Sequence, residues 1–230
     1  MKTIVIIGGS KGIGRAIIND LISENNIINI SRSNPDISHQ NFKHLSCDVL
    51  TDELPELQNL KVDSLIYCPG SINLKPFERM KIQDFKNDLE INFIGAVKVI
   101  QKYIANLKQS NNASILLFST VASKIGMAYH TSIASAKASV EGLVKSLAAE
   151  YAPKIRINAI APTITDTTLA AKLLRNDRQK EQMINRHPLK KYLSPEEIAS
   201  MTTFLISEKT SAITGQIINM DCGLTSIKAS

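Results

Sequence analysis

The opening fifteen residues, MKTIVIIGGSKGIGR, constrain this chain more than any other stretch. Ile4-Val5-Ile6-Ile7 is a continuous aliphatic run. Bounded by glycine, such a run fits a strand covered on both faces, as in a parallel sheet. It breaks into Gly8-Gly9-Ser10-Lys11-Gly12-Ile13-Gly14, and Ala16, Ile17, Ile18, Leu21 and Ile22 then recur at helical spacing. Glycines at 8, 12 and 14 let the chain turn sharply, approach a ligand closely and seat helix against strand. The first N–H groups of the helix lack intrahelical acceptors and favour an anion. Strand, glycine turn and helix together predict a site for the pyrophosphate of a dinucleotide.

With 230 residues, one domain around one core is expected across 1–230. Hydrophobic residues make up 43% and charged residues 21%, the balance of a soluble globular protein, and no apolar run reaches membrane-spanning length. The apolar stretch after Met1 is too short for a signal peptide and leads into glycine and lysine. Cys47, Cys68 and Cys222 form no close pair, so they read as reduced thiols of a cytoplasmic protein, with no metal site. The net charge of +6 suits ligands that carry phosphates. Without Trp, and with 5% aromatics, the chain has no stacking platform for nucleic acid.

Along the chain, apolar runs alternate with helical patterns. Ile27–Ile30, Phe42–Val49, Val62–Tyr67, Ser114–Phe118, Ile155–Ile160 and a run within 215–223 supply six more strands. Between them lie a long helical pattern over Lys81–Gln109 and a second over 131–151, with Thr131 or Ser132 as its N-cap. Ser194-Pro195-Glu196-Glu197 opens a further helix with cap, proline and first-turn acids. This alternation predicts an α/β fold, a three-layer doubly wound Rossmann sheet. At the end of the second strand an acidic residue would accept from the ribose hydroxyls of NAD(H). Ser31-Arg32-Ser33 stands there instead, and with Lys11 it suits a 2′-phosphate, so NADP(H) is the expected cofactor. Segment 165–191 is polar and amphipathic and reads as a cover over a substrate. Its Lys172, Arg175, Arg178, Lys180, Arg186, Lys190 and Lys191 face only Asp177 and Glu181. That run is either a solvated helix face or a reader of an anionic substrate such as an acyl thioester.

The Gly-x-x-x-Gly-x-Gly turn, the helix around Lys137 and the closing Gly215-Gln216…Asp221-Cys222-Gly223 resemble the short-chain dehydrogenase/reductase family, from residue 2 to about 224. The resemblance implies strand order 3-2-1-4-5-6-7 and hydride transfer between nicotinamide and a carbonyl or alcohol. It implies cofactor contacts from Gly8, Ser10, Lys11, Gly12, Ile13 and Gly14, from Ser31 and Arg32, and from Asp48 and Val49 at the adenine. Cys68 and Gly70 stand where the family has Asn-Ala-Gly, and Pro69 between them has no N–H to donate. Pro162, Ile164 and Thr167 match the turn around the nicotinamide, with Thr163 in place of a glycine. Asn92 matches an asparagine that holds a water on a proton relay. Thr120, with Ser119 beside it, falls on the family's catalytic serine, and Lys137 on the lysine that holds the ribose. The family's catalytic tyrosine is Ile133 here, which has no proton to give. Three expectations stay open: His130 supplies the proton, a water held by Lys137 and Thr120 supplies it, or the chain binds cofactor without turnover as a subunit or regulator. The helical segments 81–109 and 131–151 suit self-association into a dimer or tetramer.

Overall fold

The computed structural model describes residues 1–228. Seven parallel strands form one sheet in the order β3-β2-β1-β4-β5-β6-β7, which is the expected 3-2-1-4-5-6-7. The strands are β1 Thr3–Ile7, β2 Asn26–Ser31, β3 Phe42–Ser46, β4 Ser64–Tyr67, β5 Ala113–Phe118, β6 Ile155–Pro162 and β7 Ile217–Met220. The helices are α1 Gly12–Leu21, α2 Ile82–Leu89, α3 Gly95–Leu107, α4 Thr131–Tyr151, α5 Asp177–Arg186 and α6 Pro195–Ile206.

Because side chains alternate across a strand, β1 feeds both layers. Val5 and Ile7 join Ile28, Ile30 and Leu65 under Val99, Tyr103 and Leu107 of α3 and Val140 and Val144 of α4. Ile4 and Ile6 join Ile27, Ile66 and Leu116 under Ile17 and Ile18 of α1 and Ile198 and Leu205 of α6. Each fully buried aliphatic side chain contributes about 1.5–3 kcal/mol. β1 is therefore held from both layers, and the glycine turn hangs from its end.

Two local expectations give way. The helical pattern 81–109 is not one helix: residues Glu90–Ile94 form a π turn between α2 and α3. The Tyr67 hydroxyl donates to the Ile91 carbonyl at 2.7 Å, taking an acceptor out of the regular ladder. A Cβ at Gly95 would stand 2.3 Å from that hydroxyl, so the turn depends on glycine there. The N-cap of α4 is His130, not Thr131 or Ser132, because the Ser132 hydroxyl is drawn to Asp88 at 2.5 Å. The start of α6 follows expectation: Ser194 and Glu197 form a reciprocal capping box with Pro195 at the first position. Among the described residues, no helix is long and apolar enough to cross a membrane.

Candidate active site at the carboxyl ends of the strands

Two cavities open along the carboxyl ends of the strands, where open α/β sheets bind ligands. The first, about 340 Å³, is lined by the glycine turn, Ser31-Arg32-Ser33, Cys47–Leu50 and Cys68–Gly70. The second, about 280 Å³, runs over Thr120, Ile133 and Lys137 and under Leu173, Met183 and Arg186. Ile13, Cys68, Gly70, Thr167 and Leu169 line both, so the two form one cleft.

In the first half, main chain does most of the work. A Cβ at Gly14 would meet the Gly8 carbonyl oxygen at 2.5 Å and Gly9 Cα at 2.9 Å, so only glycine lets α1 start this close to β1. Gly8 holds a φ of +79°, which strains other residues. Lys11 caps α1 without a side-chain hydrogen bond, and the first turn holds no acid, which leaves its N–H groups open to an anion. Asn29, in the middle of the apolar β2, accepts from Gly9 N at 2.9 Å and braces the turn from below. Ser10, Lys11, Gly12, Ile13, Arg32, Asp48 and Val49 line this half. The Ser31 hydroxyl donates inward to the Ser33 carbonyl at 3.0 Å. Arg32 is largely exposed and lies 3.9 Å from Asp48, a loose pair.

In the second half, side chains from distant segments converge. Lys137 is buried and donates to the Phe118 carbonyl at 2.8 Å. Burial pulls its ammonium down to about 8, against the charges of Cys68 and Asp88. Burial pushes the Cys68 thiol up to about 12. Asn92, set by the π turn, donates to Ser71 Oγ at 2.9 Å and to the Asp88 carbonyl at 2.8 Å. Its Oδ1 has no partner among the described residues. A Cβ at Gly70 would stand 3.2 Å from that oxygen and 3.7 Å from Lys137 Nζ, so the space beside Gly70 lies between them. Thr120 Oγ1 accepts from Ala122 N at 3.4 Å and keeps its own proton free for the cavity. Ser119 is different: its hydroxyl is committed to Glu141 at 2.6 Å. His130 reaches the cavity from outside the helix, with Nδ1 against the Ala128 carbonyl at 2.7 Å. The two-turn alignment of His130 with Lys137 on one helix face is therefore not formed. Pro162, Ile164 and Thr167 all line this half.

Sequence reasoning missed three groups. Buried His187 bonds Thr163 Oγ1 at 2.8 Å and the Met183 carbonyl at 2.6 Å, tying the covering segment to the end of β6. Thr163 in place of a glycine was the available sign of that tie. Asp88 and Ser71 form the other pair, and the spacing of Asp88 to Asn92 along one helix face hinted at it. Of the basic residues in 165–191, Arg186 lines the cleft, whereas Arg175 and Arg178 are exposed and do not.

Comparison with known proteins agrees with this geometry. The family model described as enoyl-(acyl carrier protein) reductase matches residues 10–225. The chain is 30% identical to a 3-oxoacyl-(acyl-carrier-protein) reductase of Buchnera aphidicola, covering 97% of each chain. It is 31% identical to a tropinone reductase homolog of Datura stramonium, covering 97% of this chain and 91% of the relative. A short chain dehydrogenase family protein from Francisella tularensis superposes with a TM-score of 0.89 at 26% identity, over 99% of this chain and all of the other. ElxO with NADP bound superposes at 0.87 with 25% identity, over 98% and 99%. With the family model matching residues 10–225, a 30% identical relative covered to 97% and a superposition over nearly the whole chain, the chain belongs to the short-chain dehydrogenase/reductase family of oxidoreductases.

Proposed function

We propose that this chain is an NADP(H)-dependent oxidoreductase that moves a hydride between nicotinamide and a carbonyl or alcohol carbon of a small, partly anionic substrate. One observation carries this reading. Lys137 Nζ and the unpartnered Asn92 Oδ1 flank Gly70, which lines both cavities, and the free Thr120 hydroxyl lines the second cavity with Lys137. The residues present fit the cofactor: a glycine cradle that any Cβ would fill, open N–H groups on α1, and Arg32 with Lys11 where no acid stands. When bound, the nicotinamide supplies the hydride donor or acceptor. Thr120 donates to the substrate oxygen. Lys137, anchored on the Phe118 carbonyl, donates to the ribose. Asn92 Oδ1 accepts from a water in the space beside Gly70. Ser10, Gly12, Ile13 and Thr167 surround the diphosphate, Ser31 and Arg32 the 2′-phosphate, Asp48 and Val49 the adenine, and Cys68, Gly70, Pro162 and Ile164 the nicotinamide. His130, off the helix axis and tied to Ala128, is given no proton transfer.

The second half of the cleft sets the substrate class. Lys137, Arg186, His130 and His187 line it, and among the described residues no carboxylate does. An apolar body with an anionic end, such as an acyl thioester of coenzyme A, matches that lining, and the relative named a 3-oxoacyl-(acyl-carrier-protein) reductase supports it. We also place the protein in the cytoplasm, on its three free thiols, and expect it to self-associate as a dimer or tetramer.

A second reading rests on Ile133, which presents an apolar side chain to the cleft where the family resemblance puts a phenol. On that reading the chain binds cofactor without turnover, as a subunit or regulator. Following NADPH absorbance with acetoacetyl-coenzyme A and a panel of cyclic ketones separates the two. Carbonyl-dependent consumption is expected. Binding without consumption, with activity gained in Ile133→Tyr, would favour the second reading.

A further inference from the structure

Ser71 and Asp88 are absorbed by none of these roles, yet Ser71 lines the reacting end of the cleft and Asp88 stands buried behind it. Asp88 is buried in α2, one helical turn before Asn92. Its Oδ1 accepts from Ser71 at 2.5 Å and its Oδ2 from Ser132 at 2.5 Å, the lengths of hydroxyls donating to a carboxylate. Ser132 is the residue next to Ile133. Ser71 follows Gly70 and lines the same cavity as Thr120, Ile133 and Lys137.

The bookkeeping at Ser71 Oγ fixes what this group can do. Its one proton is committed to Asp88. One lone pair accepts from Asn92 Nδ2 at 2.9 Å. A hydroxyl has two lone pairs, so one remains, and what Ser71 offers the cavity is an acceptor rather than a donor. Thr120 is the converse, a hydroxyl whose proton is free. The same cavity is thus lined by a hydroxyl donor and a hydroxyl acceptor, and the acceptor is backed by a buried carboxylate.

Resting on the proposed oxidoreductase activity, we infer that in the oxidation direction Ser71, backed by Asp88, takes the alcohol proton in place of the phenol missing at 133. The alcohol O–H bond breaks, and its proton passes to Ser71 Oγ while the Ser71 proton passes to the Asp88 carboxylate. The carbinol C–H bond breaks with its electron pair leaving as hydride to bound NADP+, the oxidant. The alcohol becomes the ketone, and Asp88 ends as the neutral acid. Reduction runs the same path backwards and needs that acid already protonated. Ser71 is then the proton-accepting group, and Asp88 and Ser132 are positioning residues behind it.

The test uses the full chain with NADP+ and two alcohols, cyclohexanol and 3-hydroxybutyryl-coenzyme A, set against cyclohexanone and acetoacetyl-coenzyme A. In Ser71→Ala and Asp88→Asn, kcat for alcohol oxidation is expected to fall about 100-fold, with the KM for NADP+ held within about twofold. Ser71→Thr, which keeps a hydroxyl, is expected to recover most of the rate. A second readout needs no turnover. Calorimetry on the NADP+-loaded protein is expected to show alcohol affinity about tenfold weaker in Ser71→Ala, with ketone affinity unchanged. Wild-type alcohol oxidation that is indifferent to Ser71→Ala would overturn the relay and leave the oxidoreductase reading standing. A wild-type chain that binds NADP+ but turns over no alcohol and no ketone would remove both.

Discussion

The two halves of the cleft are built differently. The nucleotide half is organised around one short stretch and mostly around its main chain: Gly14 packed on the Gly8 carbonyl, open N–H groups on α1, and Asn29 bracing Gly9, with residues just past β2, β3 and β4 around it. The reacting half is assembled from side chains on six segments, from Ser71 and Asp88 to His187. Main-chain grips leave little room for substitution, because what matters is the absence of a Cβ. Side-chain constellations can exchange members while keeping a hydrogen-bond pattern. Against the pattern that the family resemblance implies, the glycine turn matches, Ile133 and Thr163 depart in the reacting half, and Pro69 departs at the edge of the nucleotide half.

The largest expected effect breaks the comparison on its rigid side. Gly14→Ala would place a Cβ 2.5 Å from a backbone oxygen that has nowhere to move. NADPH affinity in calorimetry is expected to drop about 100-fold, or about 3 kcal/mol. Retained affinity would mean the turn is not the grip.

A smaller effect probes the reacting side. In the folded chain Lys137 releases its proton near pH 8, against 10.5 for the free side chain. Between those values the unfolded chain binds a proton that the folded chain has lost, so this group adds stability as pH rises through the window. Below pH 8 both states are protonated and the burial penalty stays. In denaturant titrations, wild type is expected to gain on the order of 2 kcal/mol over Lys137→Met between pH 8 and 10.5. Parallel stability curves for the two proteins would contradict the burial of that charge.

The smallest effect sharpens the nucleotide half. Arg32 is exposed and loosely paired, so its charge is heavily screened. Arg32→Ala is expected to weaken NADPH about tenfold and NADH by no more than about twofold. Equal losses for both nucleotides would remove the 2′-phosphate role.

The same difference decides how much of the molecule is legible in the sequence alone. β1, its turn and α1 were legible because local patterning and glycine placement dictate them; seven apolar runs carried the number of strands, and the family resemblance carried their order. The π turn was not, since it depends on Tyr67 reaching Ile91 from β4. The α4 cap was missed for a similar reason: Ser132, a good cap by residue type, spends its hydroxyl on Asp88 of the neighbouring α2. At the candidate site, Lys137, Asn92 and Thr120 stood out as residues of a familiar pattern. Ser71, Asp88 and His187 did not, because each gains its meaning from a partner far away in sequence.

The central claim is that the opening turn grips the diphosphate of NADP(H). Calorimetric titration of the wild-type chain with NADPH at moderate salt tests it most directly. Saturable binding of one nucleotide per chain is expected, with a dissociation constant of roughly micromolar order and a weaker one for NADH. The absence of heat with NADPH, NADP+, NADH and NAD+ alike would contradict the account.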